Sequence, residues 1–125
     1  MSWQLENGRP IWVQLTEVLT LRIVSGVYEP GGAVPPVRTL AAEAGVNPNT
    51  MQRALAELEN QGLLETRRTA GRTVTDDLFR IQTMRKQLAL ERINAFLSSM
   101  HALGFDEAQT RALMDEWKKE EHTDE

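Results

Sequence analysis

The chain has 125 residues, of which 41% are hydrophobic and 26% charged, and its net charge is −4. This length allows one small domain with an appendage, and the absence of cysteine excludes disulfides and thiolate metal sites. No apolar run approaches the roughly 18 residues of a membrane span, and the N-terminus lacks a secretory pattern, so we expect a cytoplasmic protein with no membrane partner.

The first predicted helix covers residues 10–25. Pro10 suits a first helical position, and apolar residues follow at helical spacing until a glycine ends the pattern. Residues 29–36 contain two glycines and three prolines, which predicts a turn and at most a short edge strand. A short second helix is predicted over residues 37–44 and ends at Gly45.

The third predicted helix has a readable start and end. Asn47 is a suitable N-cap, and Pro48 at the first position loses no hydrogen bond because that N–H has no partner within a helix. Gly62 is the expected left-handed residue after the helix. The apolar residues at positions i, i+3, i+4 and i+7 form its buried stripe: Met51, Ala54, Leu55 and Leu58.

The side of this helix opposite the stripe is mostly polar. Asn49, Arg53 and Ala56 point away from the stripe, with Thr50 and Gln52 on its flanks. Amide and guanidinium groups can read the edges of adenine and guanine, so the polar residues of this face are candidates for DNA contact.

A hairpin follows the third helix. Residues 63–68 and 72–75 read as two strands, joined by residues 69–71 with a glycine in the turn. Two helices around a tight turn, followed by an arginine-rich hairpin, are typical of a winged helix-turn-helix, whose second helix enters the DNA major groove. In that fold, the arginines of the hairpin supply phosphate contacts.

The charge distribution bears on this hypothesis. Residues 1–75 hold seven arginines and seven glutamates, hence no net charge, whereas residues 76–125 hold seven basic and eleven acidic residues, hence −4. A negative total argues mildly against a nucleic-acid partner. The cluster of Arg67, Arg68 and Arg72 weakens that objection, because the local field near phosphates matters more than the total.

Two helices are predicted for the C-terminal part. A long helix begins at Asp76 and Asp77 and runs to about residue 102, and Asp106 with Gln109 resembles a capping box that opens the last helix. Their apolar residues exceed what one helical hairpin can bury, so we expect a homodimer.

Residues 10–74 resemble the GntR family of bacterial transcription regulators. This region spans 65 of the 125 residues, and four segments within it carry the match. They are PIWVQL, SGVYEPGGAVPPVRTLA, GVNPNTMQRALAELENQGLLETRR and the short wing TAGRTV. The short C-terminal part is similar to the YtrA-like subfamily, in which a two-helix segment makes the dimer.

The resemblance implies roles for individual residues. In the family, the arginine at the position of Arg38 reaches the DNA backbone or a base edge, and the wing contacts DNA, here through Arg68, Gly71 and Arg72. Family wings commonly read Gly-x-Gly-Thr-Phe, whereas here Thr69 holds the first glycine position and an arginine follows the second glycine.

The expected fold is therefore mainly α with a small β-wing (α+β). Residues 10–75 form the winged helix-turn-helix DNA-binding domain, and residues 76–125 an α-helical hairpin for dimerisation and effector response. The predicted DNA-binding set is Arg38, Asn47, Asn49, Thr50, Gln52, Arg53, Arg68, Gly71 and Arg72. No catalytic constellation, metal site or cofactor motif is visible, so no enzymatic activity and no cofactor are expected.

The expected function is a homodimeric repressor that binds an inverted-repeat operator in double-stranded DNA. YtrA-like regulators often accompany membrane-transporter genes, so the resemblance implies control of transport. The alternative is a winged-helix module for protein contact or non-specific DNA architecture. A small-molecule effector, if one binds, is expected near residues of the first and last helices and of the start of the long helix. These are Trp12, Phe79, Met84 and Trp117.

Overall fold

The structure, a computed structural model, describes residues 3–121. This part of the chain contains five helices and one two-stranded antiparallel sheet, so the predicted mainly α fold with a small β-wing is confirmed. The chain divides into two compact units, one up to Arg85 and the other from Lys86 onward. The elements in chain order are α1 (Ile11–Val24), α2 (Val37–Ala44), α3 (Pro48–Asn60), β1 (Leu64–Arg67), β2 (Gly71–Val74), α4 (Leu78–Ala102) and α5 (Glu107–Glu121).

One apolar core fills the first unit. The predicted stripe of α3 is buried in full, and α1, α2, both strands and the start of α4 add side chains to the same cluster. The division between the units falls within α4, since its residue Ile81 belongs to this core. No helix among residues 3–121 is long and apolar enough to span a membrane. The fully buried side chains of the core include Leu15, Leu19, Leu40, Met51, Leu55, Leu58, Leu63 and Val74.

The ends of α2 and α3 follow the predicted chemistry. Gly45 adopts the left-handed conformation (φ 71°, ψ 37°) that ends α2, a conformation that costs little without a Cβ. The side chain of Asn47 accepts a hydrogen bond from the backbone N–H of Asn49 at 2.7 Å, and Pro48 is the first residue of α3. These ends fix a sharp turn between α2 and α3.

The wing consists of β1 and β2 with a turn at residues 68–70. The antiparallel register runs from Leu64 opposite Val74 to Arg67 opposite Gly71. The turn therefore begins one residue earlier than predicted, and Gly71, with φ 71°, starts β2. The segment before α2 lies along β2, with a bridge from Ala33 to Thr73, as expected for a short edge strand.

A polar network joins α1 to α2. The buried guanidinium of Arg22 lies 2.9 Å from a carboxylate oxygen of Glu43 and donates to the hydroxyl of Tyr28 at 2.7 Å. Its Cζ lies 4.4 Å from the ring centroid of Trp3, which also donates to Glu43. The hydrogen bonds from Trp3 and Arg22 lower the pKa of the Glu43 carboxyl, because both favour its ionised form. This network fixes α2, and with it the turn into α3.

The second unit is a helical hairpin built from the rest of α4 and from α5. The predicted capping box is present, since the backbone N–H of Asp106 donates to Gln109 at 2.9 Å and the backbone N–H of Gln109 donates to Asp106 at 2.8 Å. Among the described side chains of this unit, Thr110 alone is buried. The exposed large apolar side chains are Leu90, Ile93, Phe96, Leu103, Met114 and Trp117.

Candidate nucleic-acid interface

The face of α3 that points away from the core is polar. Asn49, Gln52 and Arg53 are exposed, whereas Thr50 is half-buried. Residues 45–47 join α2 to α3, and the two helices pack against each other. This is the arrangement of a helix-turn-helix, with α3 in the position of the recognition helix. The side chain of Asn47 is occupied as the cap of α3.

Arg53 is held by an aromatic ring. Its Cζ lies 4.1 Å from the ring centroid of Trp12, which is half-buried on α1. A guanidinium over the face of an indole ring is attracted by the ring's quadrupole and loses rotamer freedom. The predictions placed Arg53 in the DNA-binding set and Trp12 in the effector set, and the structure brings the two together.

Arg72 is paired with the recognition helix. Its Nε donates to Oε1 of Glu59 at 2.6 Å, and a second nitrogen donates to Oε1 of Gln52 at 3.4 Å. The other carboxylate oxygen of Glu59 accepts from the hydroxyl of Thr66 at 2.9 Å. The hydrogen bond from Arg72 lowers the pKa of the Glu59 carboxyl, because it stabilises the charged form.

The sequence predictions missed Glu59. One signal was available, since Glu59 lies seven residues after Gln52, two turns further along the same face of α3. Its pairing with β2 depends on how the wing folds back on the helix, and no spacing in the sequence encodes that.

The remaining predicted arginines are free of protein partners within residues 3–121. Arg38 is exposed in the first turn of α2, and Arg68 is exposed in the turn of the wing. Arg67, in contrast, donates to Glu65 at 3.2 Å and to the hydroxyl of Thr73 at 3.3 Å. A Cβ on Gly71 would meet no atom within 4 Å, so its positive φ, and not crowding, favours glycine there.

Comparison with known proteins identifies the family of this helix-turn-helix. Residues 13–74 match the family described as bacterial regulatory proteins, gntR family. Over 104 residues the chain is 33% identical to the HTH-type transcriptional regulator YhcF of Bacillus subtilis, covering 83% of this chain and 86% of YhcF. The chain belongs to the GntR family.

Two further similarities agree with this assignment. The chain is 34% identical over 71 residues to the HTH-type transcriptional repressor YtrA of Bacillus subtilis, covering 57% of this chain and 55% of YtrA. A solved structure of a GntR family transcriptional regulator from Listeria monocytogenes aligns with a TM-score of 0.82 and 34% identity, over 90% of this chain and 98% of the other. The predicted family is confirmed, and it is one of DNA-binding transcription regulators and not a class of enzymes.

The wing of this GntR protein departs from the common family pattern. Arg72 stands where the pattern implied by the resemblance has a threonine after the second glycine, and its pairing with Glu59 ties β2 to α3. An open cleft of about 320 Å³ lies between the segment before α2 and the wing, with Gly71 and Arg72 in its lining. The wing and the recognition helix are thus joined by charged and polar side chains as well as by the core.

The four residues predicted to lie near an effector fall into different environments. In the first unit, Trp12 contacts Arg53, Met84 packs against the core, and Phe79 is 81% exposed. In the second unit, Trp117 lines an apolar groove of about 370 Å³ between α4 and α5. Within residues 3–121, no group of acidic and histidine side chains is arranged to hold a metal ion.

Proposed function

We propose that this GntR regulator is a homodimeric repressor that reads an inverted-repeat operator through α3. The observation that carries the proposal is the exposed polar face of a helix whose other face is anchored in the core. Asn49, Gln52 and Arg53 on that face have the groups that bind base edges. Arg38 and Arg68 are exposed cations suited to phosphate contacts.

The second unit supports a dimer made by a second copy of the same chain. Phe96 and Met114 line two adjoining apolar grooves of about 370 and 400 Å³, and Trp117 lines the first. Apolar side chains at this density on a surface are typical of an interface. A two-fold dimer would present two copies of α3 to an operator, with half-site centres roughly 34–36 Å apart.

Repression and control of transport are proposed from similarity. YtrA of Bacillus subtilis is a repressor by its name, and the short two-helix C-terminal segment of this chain resembles the YtrA-like subfamily. Since YtrA-like regulators often accompany membrane-transporter genes, such genes are the proposed targets. In this proposal, the regulator represses its target genes by occupying the operator.

A small-molecule effector would act by favouring one dimer geometry. Its effect on operator affinity cannot exceed its differential affinity for the competing geometries. The apolar groove beside Trp117 lies on the surface proposed for the dimer, so a small ligand bound there would lie at the interface and change its geometry. Its binding would change the fluorescence of Trp117, one of three tryptophans in the chain. Titrating candidate transporter substrates with and without operator DNA tests this role. If operator affinity is unchanged by every compound that binds, the second unit acts in dimerisation alone.

The test of the proposed function is a selection experiment. The full chain is mixed with a library of random duplexes, and the retained duplexes are sequenced. An inverted repeat with half-site centres about one helical turn apart is the expected result. Equal retention of all sequences would indicate non-specific DNA architecture. Retention of none would indicate a module for protein contact.

A further inference from the structure

Three side chains connect the wing to the middle of the recognition helix. Glu59 lies in the last turn of α3, Arg72 on β2, and Gln52 two turns earlier on α3. The guanidinium of Arg72 bridges the other two, at 2.6 Å to Glu59 and 3.4 Å to Gln52. It therefore lies along α3 instead of extending from the wing toward solvent.

Glu59 holds both strands of the wing with one carboxylate. Its Oε1 accepts from Arg72 on β2, and its Oε2 accepts from Thr66 on β1. Thr66 and Arg72 are direct cross-strand partners, so the two contacts attach one cross-strand pair of the hairpin to α3. The side chains of Arg72 and Glu59 are 19% and 30% exposed, which shields the pair from water in part. Such a charge-assisted contact keeps Arg72 in one geometry.

The contact from Arg72 also orients the carboxamide of Gln52. An arginine has hydrogen-bond donors only, so the atom of Gln52 that faces it is the acceptor oxygen. The amide nitrogen, with its two donors, is then left for DNA. In the major groove, guanine offers two acceptors, N7 and O6, whereas adenine offers one acceptor and one donor. Gln52 in this orientation favours guanine over adenine.

We propose that Glu59 is a positioning residue that, through Arg72, orients Gln52 and so sets the base preference of the recognition helix. Glu59 itself touches no base in this role. Without Glu59, Arg72 is released from α3, and Gln52 can present its oxygen and its nitrogen together to adenine. This role rests on the proposed reading of DNA by α3. The experiment must therefore distinguish a failure of the positioning role from a failure of DNA reading by α3.

The experiment measures base preference with the full chain. A selected operator is varied to all four base pairs at each position, and binding is measured for wild type, Gln52→Ala, Glu59→Ala and Arg72→Ala. Gln52→Ala identifies the base pair that Gln52 reads. At that pair we expect Glu59→Ala and Arg72→Ala to reduce the guanine-over-adenine ratio by about tenfold, with the other positions unchanged. In a Gln52→Ala background, Glu59→Ala should have no further effect there.

Two controls separate positioning from a general loss of structure. Glu59→Gln keeps a carbonyl acceptor for Arg72 and should retain most of the preference. Glu57→Ala removes a neighbouring α3 carboxylate that bonds Gln61 and not the wing, and should leave the preference intact. Thermal unfolding monitored by circular dichroism shows whether each variant is folded.

The outcomes are distinguishable. A Glu59→Ala chain with an unchanged preference, or with an equal loss at every position, overturns the positioning role alone. A wild-type chain with no base preference, or one whose preference is unaffected by Gln52→Ala, Asn49→Ala and Arg53→Ala, overturns the reading of DNA by α3, and the positioning role with it.

Discussion

The two compact units differ in how many of their apolar side chains are buried. The first unit buries most of its leucines in one core, although Leu78 and Phe79 near its C-terminal end are exposed, and Arg53 on its surface contacts the ring of Trp12. In the second unit, apolar side chains as large as Phe96 and Trp117 stay exposed, and one described side chain is buried. The first unit has the features of a self-sufficient domain, whereas the second has those of half an interface.

This difference suits two separate tasks, which are to hold α3 rigidly and to set the spacing between two copies of α3. A helix can read DNA only if its backbone is held rigidly, and the buried stripe of α3 provides that anchor. In the proposed dimer, the spacing between two such helices would be set by contact between the exposed apolar surfaces of the two second units. Substitutions in the two units should therefore fail in different ways.

The largest effect is expected in the core of the first unit. Leu55→Ala removes a fully buried α3 side chain and should lower the free energy of unfolding by about 2–5 kcal/mol, because a cavity remains. Val27→Ala, at a half-exposed position of the same unit, should change it by less than about 0.5 kcal/mol. Urea unfolding measures both. Equal effects would mean that this core does not hold the first unit together.

The next effect concerns the second unit. Phe96 lines both apolar grooves, so Phe96→Asp should weaken the dimer by roughly 2 kcal/mol or more, about 30-fold in its dissociation constant, and leave the first unit folded. Light scattering over a concentration series, with circular dichroism, measures both properties. Val27→Asp, which also introduces an aspartate but at an exposed position of the first unit, should leave the dimer intact. A monomeric wild type would refute the interface.

A smaller effect is expected on the exposed polar side of α3, which we propose faces DNA. Arg53→Ala should cost about 1–3 kcal/mol of operator binding and relax the preference at particular base pairs. Arg92→Ala removes an exposed arginine from α4 in the second unit and should leave that preference unchanged. Binding isotherms on matched and mismatched duplexes give both quantities. If Arg53→Ala keeps affinity and preference, another face of the helix reads the DNA.

The smallest effect distinguishes the two wing arginines. Arg68 has no protein partner within residues 3–121, so Arg68→Ala should reduce the slope of log affinity against log salt concentration by about 0.9, for one lost phosphate contact. Arg72→Ala should reduce it by less, because Glu59 already neutralises that guanidinium. Fluorescence anisotropy at several salt concentrations measures the slopes. A larger reduction for Arg72→Ala would show that it leaves Glu59 to bind phosphate.

Local chemistry made much of the fold predictable. Asn47 with Pro48 marked the start of α3, Gly45 marked the end of α2, and Asp106 with Gln109 marked the start of α5, since each signal acts within one helical turn. Hydrophobic spacing identified the buried stripe of α3 for a similar reason, because one period of the helix decides which side faces the core.

The candidate site was predictable in its residue types and less so in its contacts. The polar face of α3 followed from spacing, but the pairing of Arg53 with Trp12 and of Arg72 with Glu59 joins residues 41 and 13 positions apart. Such contacts depend on how α1 and the wing pack against α3, which propensity and periodicity do not determine. These contacts show that Arg53 and Arg72 are held by protein partners, whereas Arg38 and Arg68 have none within residues 3–121.

The most direct test combines the two tasks. Affinity of the full chain is measured for a selected operator and for the same operator with about five base pairs, half a helical turn, inserted between its half-sites. A rigid dimer that places two copies of α3 in successive major grooves should lose about 10²-fold or more in affinity, because only one half-site can then be engaged. Equal affinity for the two duplexes would contradict paired reading by a dimer held through the second unit.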